Sequence, residues 1–123
     1  MTMTTRTVGV ALGLIVAVAG CHAAEGSVIP GASPARGKQS LAGFGCGSCH
    51  EISGVTGARG KIGPPLTGVA SRAIIAGQLA NTPENMVRWI RDPQAVEPNT
   101  AMPNLQVSEA TARDMVAYLY TLR

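Results

Sequence analysis

Two cysteines and a histidine form the motif in this chain that carries the most specific chemistry. Cys46, Cys49 and His50 stand in the order C-x-x-C-H, the attachment pattern of a covalent c-type haem. At this spacing the two thiols can add to the two vinyl groups on one edge of a porphyrin, and the histidine that follows can bind the iron. A C-x-x-C pair also occurs in zinc half-sites and in thioredoxin-like redox pairs. The sequence has no second such pair and no βαβ pattern, and it therefore favours one covalent haem c.

Iron bound by His50 needs a sixth ligand or has an open site, and Met102 is the best candidate for that ligand. It lies in an irregular stretch directly before Pro103, which lacks a backbone donor and stiffens the loop. Of the other candidates, His22 lies in a predicted tether. Lys38 and Lys61 would need depressed pKa values to bind iron at neutral pH. Met86 and Met115 occupy core positions of predicted helices. A Met/His pair raises the reduction potential relative to two histidines, and it leaves no axial position for a substrate.

Residues 1–20 predict a signal peptide of the lipoprotein type. One positive charge, Arg6, precedes a run of thirteen uncharged small and aliphatic residues. A bilayer span needs roughly 20 residues, so the run is typical of an export signal. It ends in Val-Ala-Gly before Cys21, the pattern at which bacterial lipoproteins are cleaved and the cysteine is acylated. Cleavage near Ala23 would instead give a soluble periplasmic protein, and an uncleaved segment would give a membrane anchor. We expect an exported protein, anchored by lipid on Cys21 at the periplasmic face of the membrane.

Composition divides the rest of the chain into two parts and excludes one class of partner. Residues 21–36 are mostly small, with glycine and proline and no hydrophobic periodicity, which predicts a flexible tether. Residues 37–123 are enough for one small domain. Only four aromatic residues are present, so a buried porphyrin would supply apolar bulk that the core lacks. With few aromatics and no cluster of lysine and arginine along a face, nucleic-acid binding is not expected.

The hydrophobic and capping patterns predict three main helices joined by loops. The first covers about residues 35–45 and is weak by propensity because it contains three glycines. Thr82 as N-cap and Pro83 at the first position start the second helix, which must end at Asp92, before a proline. The last helix starts at Ser108 and carries an apolar stripe at three- and four-residue steps. Since no alternating strand pattern is present, we expect an all-α fold.

Several motifs fall in an order and spacing that resemble class I cytochromes c. They are C-x-x-C-H at 46–50, Gly-Pro-Pro-Leu at 63–66, Ser-Arg at 71–72, Trp-Ile-Arg-Asp-Pro at 89–93, Met-Pro at 102–103 and Ala-Tyr-Leu at 117–119. Residues 81–85 and 92–94 are especially similar to the cytochrome c domain fused to subunit II of some bacterial haem–copper oxidases. The resemblance covers residues 37–122 and implies a small class I cytochrome c fold, with three main helices and loops around one covalent haem.

The resemblance also implies roles for residues around the histidine. The carbonyl of Pro64 would accept a hydrogen bond from the second ring nitrogen of His50, which orients the imidazole and tunes its basicity. Arg72 would reach a haem propionate; the competing interpretation is a solvated surface charge.

Other roles implied by the resemblance concern the walls of the haem pocket. Trp89 would pack on the Met102 side, with ordinary core packing as the alternative, and Leu66 and Leu119 would line the haem. Leu41 stands where many relatives have an aromatic residue at the crossing of the first and last helices.

Together these features predict a one-electron carrier and not an enzyme, because no residues form a convincing set of catalytic acid, base or nucleophile. We expect a monomer that accepts electrons from a dehydrogenase or a quinol-oxidising complex and passes them to a terminal oxidase. Two alternatives remain open. The protein could be a bound relay subunit of a dehydrogenase or oxidase, or a gas sensor or peroxidase-like protein in which Met102 is absent from the iron or easily displaced.

Overall fold

Helices carry most of the regular structure in residues 27–123, the part of the chain that the computed structural model describes. Their bounds are α1 Pro34–Gly43, α2 Pro83–Arg91, α3 Pro93–Val96 and α4 Glu109–Leu119. Two short antiparallel strands, β1 Ile74–Ile75 and β2 Leu79–Ala80, form a hairpin. The prediction of a small, mainly helical fold is confirmed. The predicted signal peptide and the acylation site at Cys21 lie outside the described residues. Within residues 27–123, no helix has the length and apolar character needed to cross a membrane.

Side-chain caps fix the starts of the three longer helices. Ser33 Oγ accepts the Arg36 N–H at 3.3 Å at the start of α1. Thr82 does the same for α2 and Ser108 for α4, at 3.2 and 3.1 Å from the backbone nitrogen three residues later. Each cap satisfies one of the free N–H groups of the first helical turn. Helices α2 and α4 therefore begin where the sequence predicts, whereas α1 ends at Gly43 and not at residue 45.

The crossing of α1 and α4 forms the centre of the hydrophobic core. Leu41 from α1 is 2% exposed, and Ala112, Met115 and Val116 from α4 are fully buried. The two backbones approach closely at Gly37, where a Cβ atom would lie 1.9 Å from the Asp114 carbonyl oxygen. Glycine in α1 lowers its helix propensity, but it permits this contact between the two helices.

The hairpin corrects the expectation that the chain contains no strand. Ile75 pairs with Leu79, and the turn between them uses positive φ angles at Ala76 (51°) and Gly77 (73°). Strands of two residues are too short to show an alternating pattern, so the sequence contained no periodic signal for them.

The packed domain begins before residue 37, the first residue of the predicted domain. Ile29 is 4% exposed and belongs to the core cluster. Arg113 in α4 donates to the Pro30 carbonyl at 3.3 Å, and the Ser33 N–H donates to Asp114 Oδ1 at 2.6 Å. The segment that precedes α1 is thus held against α4 by one buried side chain and by polar contacts.

Candidate haem-attachment site

The two cysteines and the histidine of the motif lie on a single tight turn directly after α1. Gly45, in the left-handed region with φ 72°, joins the helix to a 3₁₀ turn over Cys46–Ser48. The N–H groups of Cys49 and His50 both donate to the Cys46 carbonyl, at 3.2 and 3.0 Å. Both thiols are free and half-buried. Burial raises the pKa of the Cys46 thiol, and the neighbouring Cys49 adds to this effect.

The ring of His50 is oriented by a neighbouring loop. Its Nδ1 lies 2.7 Å from the Pro64 carbonyl oxygen; since a carbonyl only accepts, Nδ1 carries the proton and donates. This tautomer leaves Nε2 without a proton, so that it would be the ring nitrogen able to bind iron. Gly63 lies against the ring, so that a Cβ atom there would be 2.2 Å from His50 Cε1. The Gly63 N–H also donates to the Cys49 carbonyl at 2.8 Å, which holds the loop over the attachment turn.

A second glycine, Gly60, also contacts the attachment turn. The Gly60 N–H donates to the Gly47 carbonyl at 3.0 Å. A Cβ atom on Gly60 would lie 2.4 Å from the Ser48 carbonyl oxygen, and one on Gly47 would lie 2.6 Å from Ala58 Cβ. No sequence pattern marks these contacts, because a close approach between two backbone segments leaves no local signal.

Arg72 lies on a loop that borders the residues bonded to His50. Its guanidinium donates to the carbonyl of Pro65, and to that of Thr67 at 3.4 Å. The Asn81 side chain holds this loop in place: its amide donates to the carbonyls of Val69 and Arg72, both at 2.8 Å. The guanidinium is therefore positioned near the proline loop, and its side chain is half-buried.

Asn81 is in turn fixed by the C-terminal end of the domain. Tyr120, which follows α4, donates its hydroxyl hydrogen to Asn81 Oδ1 at 2.7 Å. Burial, with a smaller contribution from Glu84, raises the pKa of Tyr120 to about 12. The hydroxyl therefore stays protonated near neutral pH and remains a donor to Asn81. Neither residue carries a sequence signal for this contact, because the two lie 39 positions apart in the chain.

Met102 lies in the irregular stretch between α3 and α4. Its carbonyl accepts the Gln94 side-chain amide at 2.8 Å, and its N–H donates to Thr100 Oγ1 at 3.2 Å. Met102, Trp89 and Leu66 are half-buried and pack against the same core cluster. The structure thus brings the predicted ligand Met102 and two predicted pocket-lining residues, Trp89 and Leu66, to the edge of one core. Leu119 is buried within that core at 2% exposure.

The residues present fit a covalent haem. The turn offers two free thiols three positions apart in the sequence, followed by an imidazole whose Nδ1 proton is already used in a hydrogen bond. Half-buried apolar side chains and a thioether lie at the edge of the adjoining core. Cys46 and Cys49 would hold the porphyrin, and His50 and Met102 would bind its iron.

An open groove of about 800 Å³ lies elsewhere on the surface. It runs between the segment before α1, the outer face of α2 and the residues that precede α4, and includes Pro30, Val87 and Val107. Cys46, His50 and Met102 do not line it, so this groove is separate from the haem-attachment site.

Helices around a C-x-x-C-H turn with an oriented histidine define a small class I cytochrome c, and comparisons with known proteins agree. The family profile described as Cytochrome c matches residues 34–123. "Cytochrome c oxidase subunit 2" of Alkalihalophilus pseudofirmus is 36% identical over 89 residues, which cover 72% of this chain and 25% of that protein. Cytochrome c2 from Rhodobacter sphaeroides shares the fold with a TM-score of 0.52 at 22% identity; the match covers 74% of this chain and 96% of that one.

This chain belongs to the cytochrome c family. The predicted family, the fold class and the cofactor are therefore confirmed: members bind covalent haem c, and Cys46 and Cys49 fit the C-x-x-C-H motif. Proteins of the family are electron carriers. The chain spans about a quarter of the length of the oxidase subunit that it resembles.

Proposed function

We propose that this protein is a one-electron carrier with a single haem c, whose iron is bound by His50 and Met102. The observation that carries the proposal is the orientation of the His50 ring by the Pro64 carbonyl at 2.7 Å, beside two free thiols. A histidine ligand held in this way keeps one ring orientation and one tautomer in both oxidation states.

Each residue of the site has a part in this function. The haem, when bound, supplies the Fe(III)/Fe(II) couple. Cys46 and Cys49 prevent its loss, and a thioether from Met102 raises the reduction potential relative to a second imidazole. Arg72 is proposed to balance a propionate charge, since its guanidinium lies beside the proline loop. Trp89 would exclude water from the Met102 side of the pocket, and Leu66 and Leu119 would line the haem.

Carbon monoxide binding to the purified, reduced holo-protein at neutral pH tests the proposed ligation. We expect no spectral shift, because both axial positions are filled. The matched variant Met102→Ala should bind carbon monoxide rapidly and fully, since its iron has an open position. A rapid full shift of the native protein would contradict the proposal and favour a sensor or peroxidase-like function.

The proposed partners are respiratory redox proteins. The donor would be a quinol-oxidising complex or a dehydrogenase, and the acceptor a terminal oxidase. The similarity to a protein named as an oxidase subunit supports this acceptor. We propose a monomer that acts as a shuttle; stable co-purification with a dehydrogenase or an oxidase would instead indicate a bound relay.

The proposed location is the periplasmic face of a membrane, with lipid on Cys21. Cell fractionation together with the mass of the mature N-terminal peptide tests this location. We expect an acylated N-terminal Cys21 in the membrane fraction, and we expect Cys21→Ser to abolish acylation because the thiol that accepts the lipid is lost. A native protein that is soluble in the periplasm and begins after Cys21 would contradict the anchor and support the soluble alternative.

A further inference from the structure

One side chain outside the loop between α3 and α4 is bonded directly to Met102. Gln94, the second residue of α3, donates its side-chain N–H to the Met102 carbonyl at 2.8 Å. Among the residues that the structure describes, no other side chain from outside residues 97–108 forms a hydrogen bond with Met102. The two residues lie eight positions apart along the chain.

The backbone of Met102 forms two hydrogen bonds, one through its carbonyl and one through its N–H. Its N–H donates to Thr100 Oγ1 at 3.2 Å, but Thr100 belongs to the same loop and moves with it. The next residue is Pro103, which has no N–H to offer. The Gln94 bond is therefore the contact that ties the Met102 backbone to an element beyond its own loop.

Helix α3 is a suitable anchor because both of its ends are fixed. Pro93 is buried, and Asp92 caps the helix by accepting the Ala95 N–H at 3.4 Å. At the other end, Gln78 from the hairpin donates to the Val96 carbonyl at 2.6 Å. The position of α3, and with it that of Gln94, is therefore determined by the core and by the hairpin.

We propose that Gln94 is a positioning residue that keeps the Met102 thioether on the haem iron by holding the loop backbone. This inference rests on the proposed His50/Met102 ligation. In the closed state, in which Met102 is bound to the iron, the hydrogen bond between Gln94 and Met102 is formed. When the loop moves away from the iron, this hydrogen bond is broken. The hydrogen bond therefore lowers the fraction of molecules in which the iron is open to an added ligand.

The size of the effect follows from that population. An added ligand binds the iron with an apparent affinity proportional to the open fraction. A single hydrogen bond at an exposed position stabilises the closed loop enough to change this fraction roughly threefold to tenfold. Loss of the bond should raise the apparent affinity by the same factor.

Imidazole titration of the oxidised holo-protein, followed by the visible spectrum, tests the inference. The variant Gln94→Leu removes the donor and keeps a side chain of similar volume. We expect it to bind imidazole about threefold to tenfold more tightly than the native protein. Because the Gln94 side chain is exposed, the variant is expected to fold, and its thermal unfolding is recorded alongside.

Two further variants separate positioning from a general loosening of the fold. Asn85→Leu removes a comparable amide-to-carbonyl bond, 2.9 Å to Ala80 in β2, that does not involve Met102, and should leave imidazole affinity at the native value. Gln94→Lys restores a donor of similar reach and should return the affinity toward that value. The inference is overturned if Gln94→Leu matches the native protein or if Asn85→Leu raises the affinity equally. If the native reduced protein itself binds carbon monoxide fully, then the ligation proposal fails first.

Discussion

At the scale of single residues, the site depends on how the His50 ring is held. The Pro64 carbonyl fixes its tautomer at 2.7 Å, and Gly63 allows the loop backbone to lie against the ring. The chemistry of the ligand is therefore set by a carbonyl and by the absence of a side chain. Neither the Pro64 carbonyl nor Gly63 carries a charge, and both determine the orientation of the His50 ring.

We predict that Gly63→Ala disturbs the haem site. A Cβ atom would lie 2.2 Å from His50 Cε1, so the ring or the loop must move and the bond to Pro64 must weaken. Overpacking of this kind costs about 1–3 kcal/mol of stability. A weaker bond makes the imidazole less basic and raises the reduction potential. Thermal unfolding and a potentiometric titration of the holo-protein measure the two effects.

The control for this variant is Gly43→Ala, because a Cβ atom there meets no heavy atom within 4 Å. It should change neither the potential nor the visible spectrum. A Gly63→Ala protein with native stability and native potential would show that the ring is not constrained by this contact.

At the scale of elements, the crossing of α1 and α4 determines how the attachment turn meets the core. The turn follows α1 directly, so any displacement of α1 is carried to Cys46 and His50. Leu41, at this crossing, is buried at 2% exposure. The close approach of the two backbones at Gly37 brings the helices near enough for this side chain to be buried between them.

Gly37→Ala should destabilise the domain strongly. The added methyl group would lie 1.9 Å from the Asp114 carbonyl oxygen, which is backbone and cannot rotate away. The helices must separate, with an expected loss of about 1–3 kcal/mol or more. Urea unfolding of the holo-protein, compared with Gly43→Ala in the same helix, gives the difference. Equal midpoints for the two variants would mean that the crossing can adjust at little cost.

At the scale of the whole molecule, the buried carboxylate of Asp114 connects the first and last helices of the domain. Asp114 in α4 is 9% exposed. It accepts Arg36 Nε at 2.6 Å and an Arg36 guanidinium N–H at 2.9 Å, and it also accepts the Ser33 N–H at 2.6 Å. These contacts tie the start of α1 to the last helix, across 78 positions of sequence.

The same contacts predict how stability depends on pH. Hydrogen bonding to Arg36, with support from the Ser33 N–H, holds the pKa of Asp114 below its usual range, although burial opposes this effect. A depressed folded-state pKa contributes stability that is fully present above the unfolded value of about 3.9 and is lost as pH falls through the folded value. We expect Asp114→Asn to lower the Tm at pH 7 and to reduce the loss of Tm on acidification below about pH 4.

Thermal unfolding of both proteins between pH 7 and the acid range measures this difference. Other carboxylates titrate in the same range, so the comparison depends on the difference between the two curves and not on either curve alone. Parallel curves would mean that Asp114 contributes no pH-dependent stability.

Features whose physical cause lies within a few residues could be predicted from the sequence. The C-x-x-C-H spacing determines the haem chemistry because thiols and imidazole act on one edge and one face of a porphyrin. The Thr82 and Ser108 caps determine helix starts because each side chain bonds a nitrogen three residues later. Met102 could be proposed by elimination, although its binding to iron stays a prediction.

Features that depend on distant residues were decided only by the tertiary structure. Gly37 meets Asp114, Gln94 holds Met102, and Tyr120 fixes Asn81 through contacts that no local pattern marks. The hairpin is too short for a periodic signal, and the segment around Ile29 looks like a tether until its side chain is seen in the core. The sequence by itself determined which chemistry this protein can perform. The packing of distant segments decided which contacts hold the proposed ligands His50 and Met102, because a hydrogen bond or a close contact depends on positions in space and not on spacing along the chain.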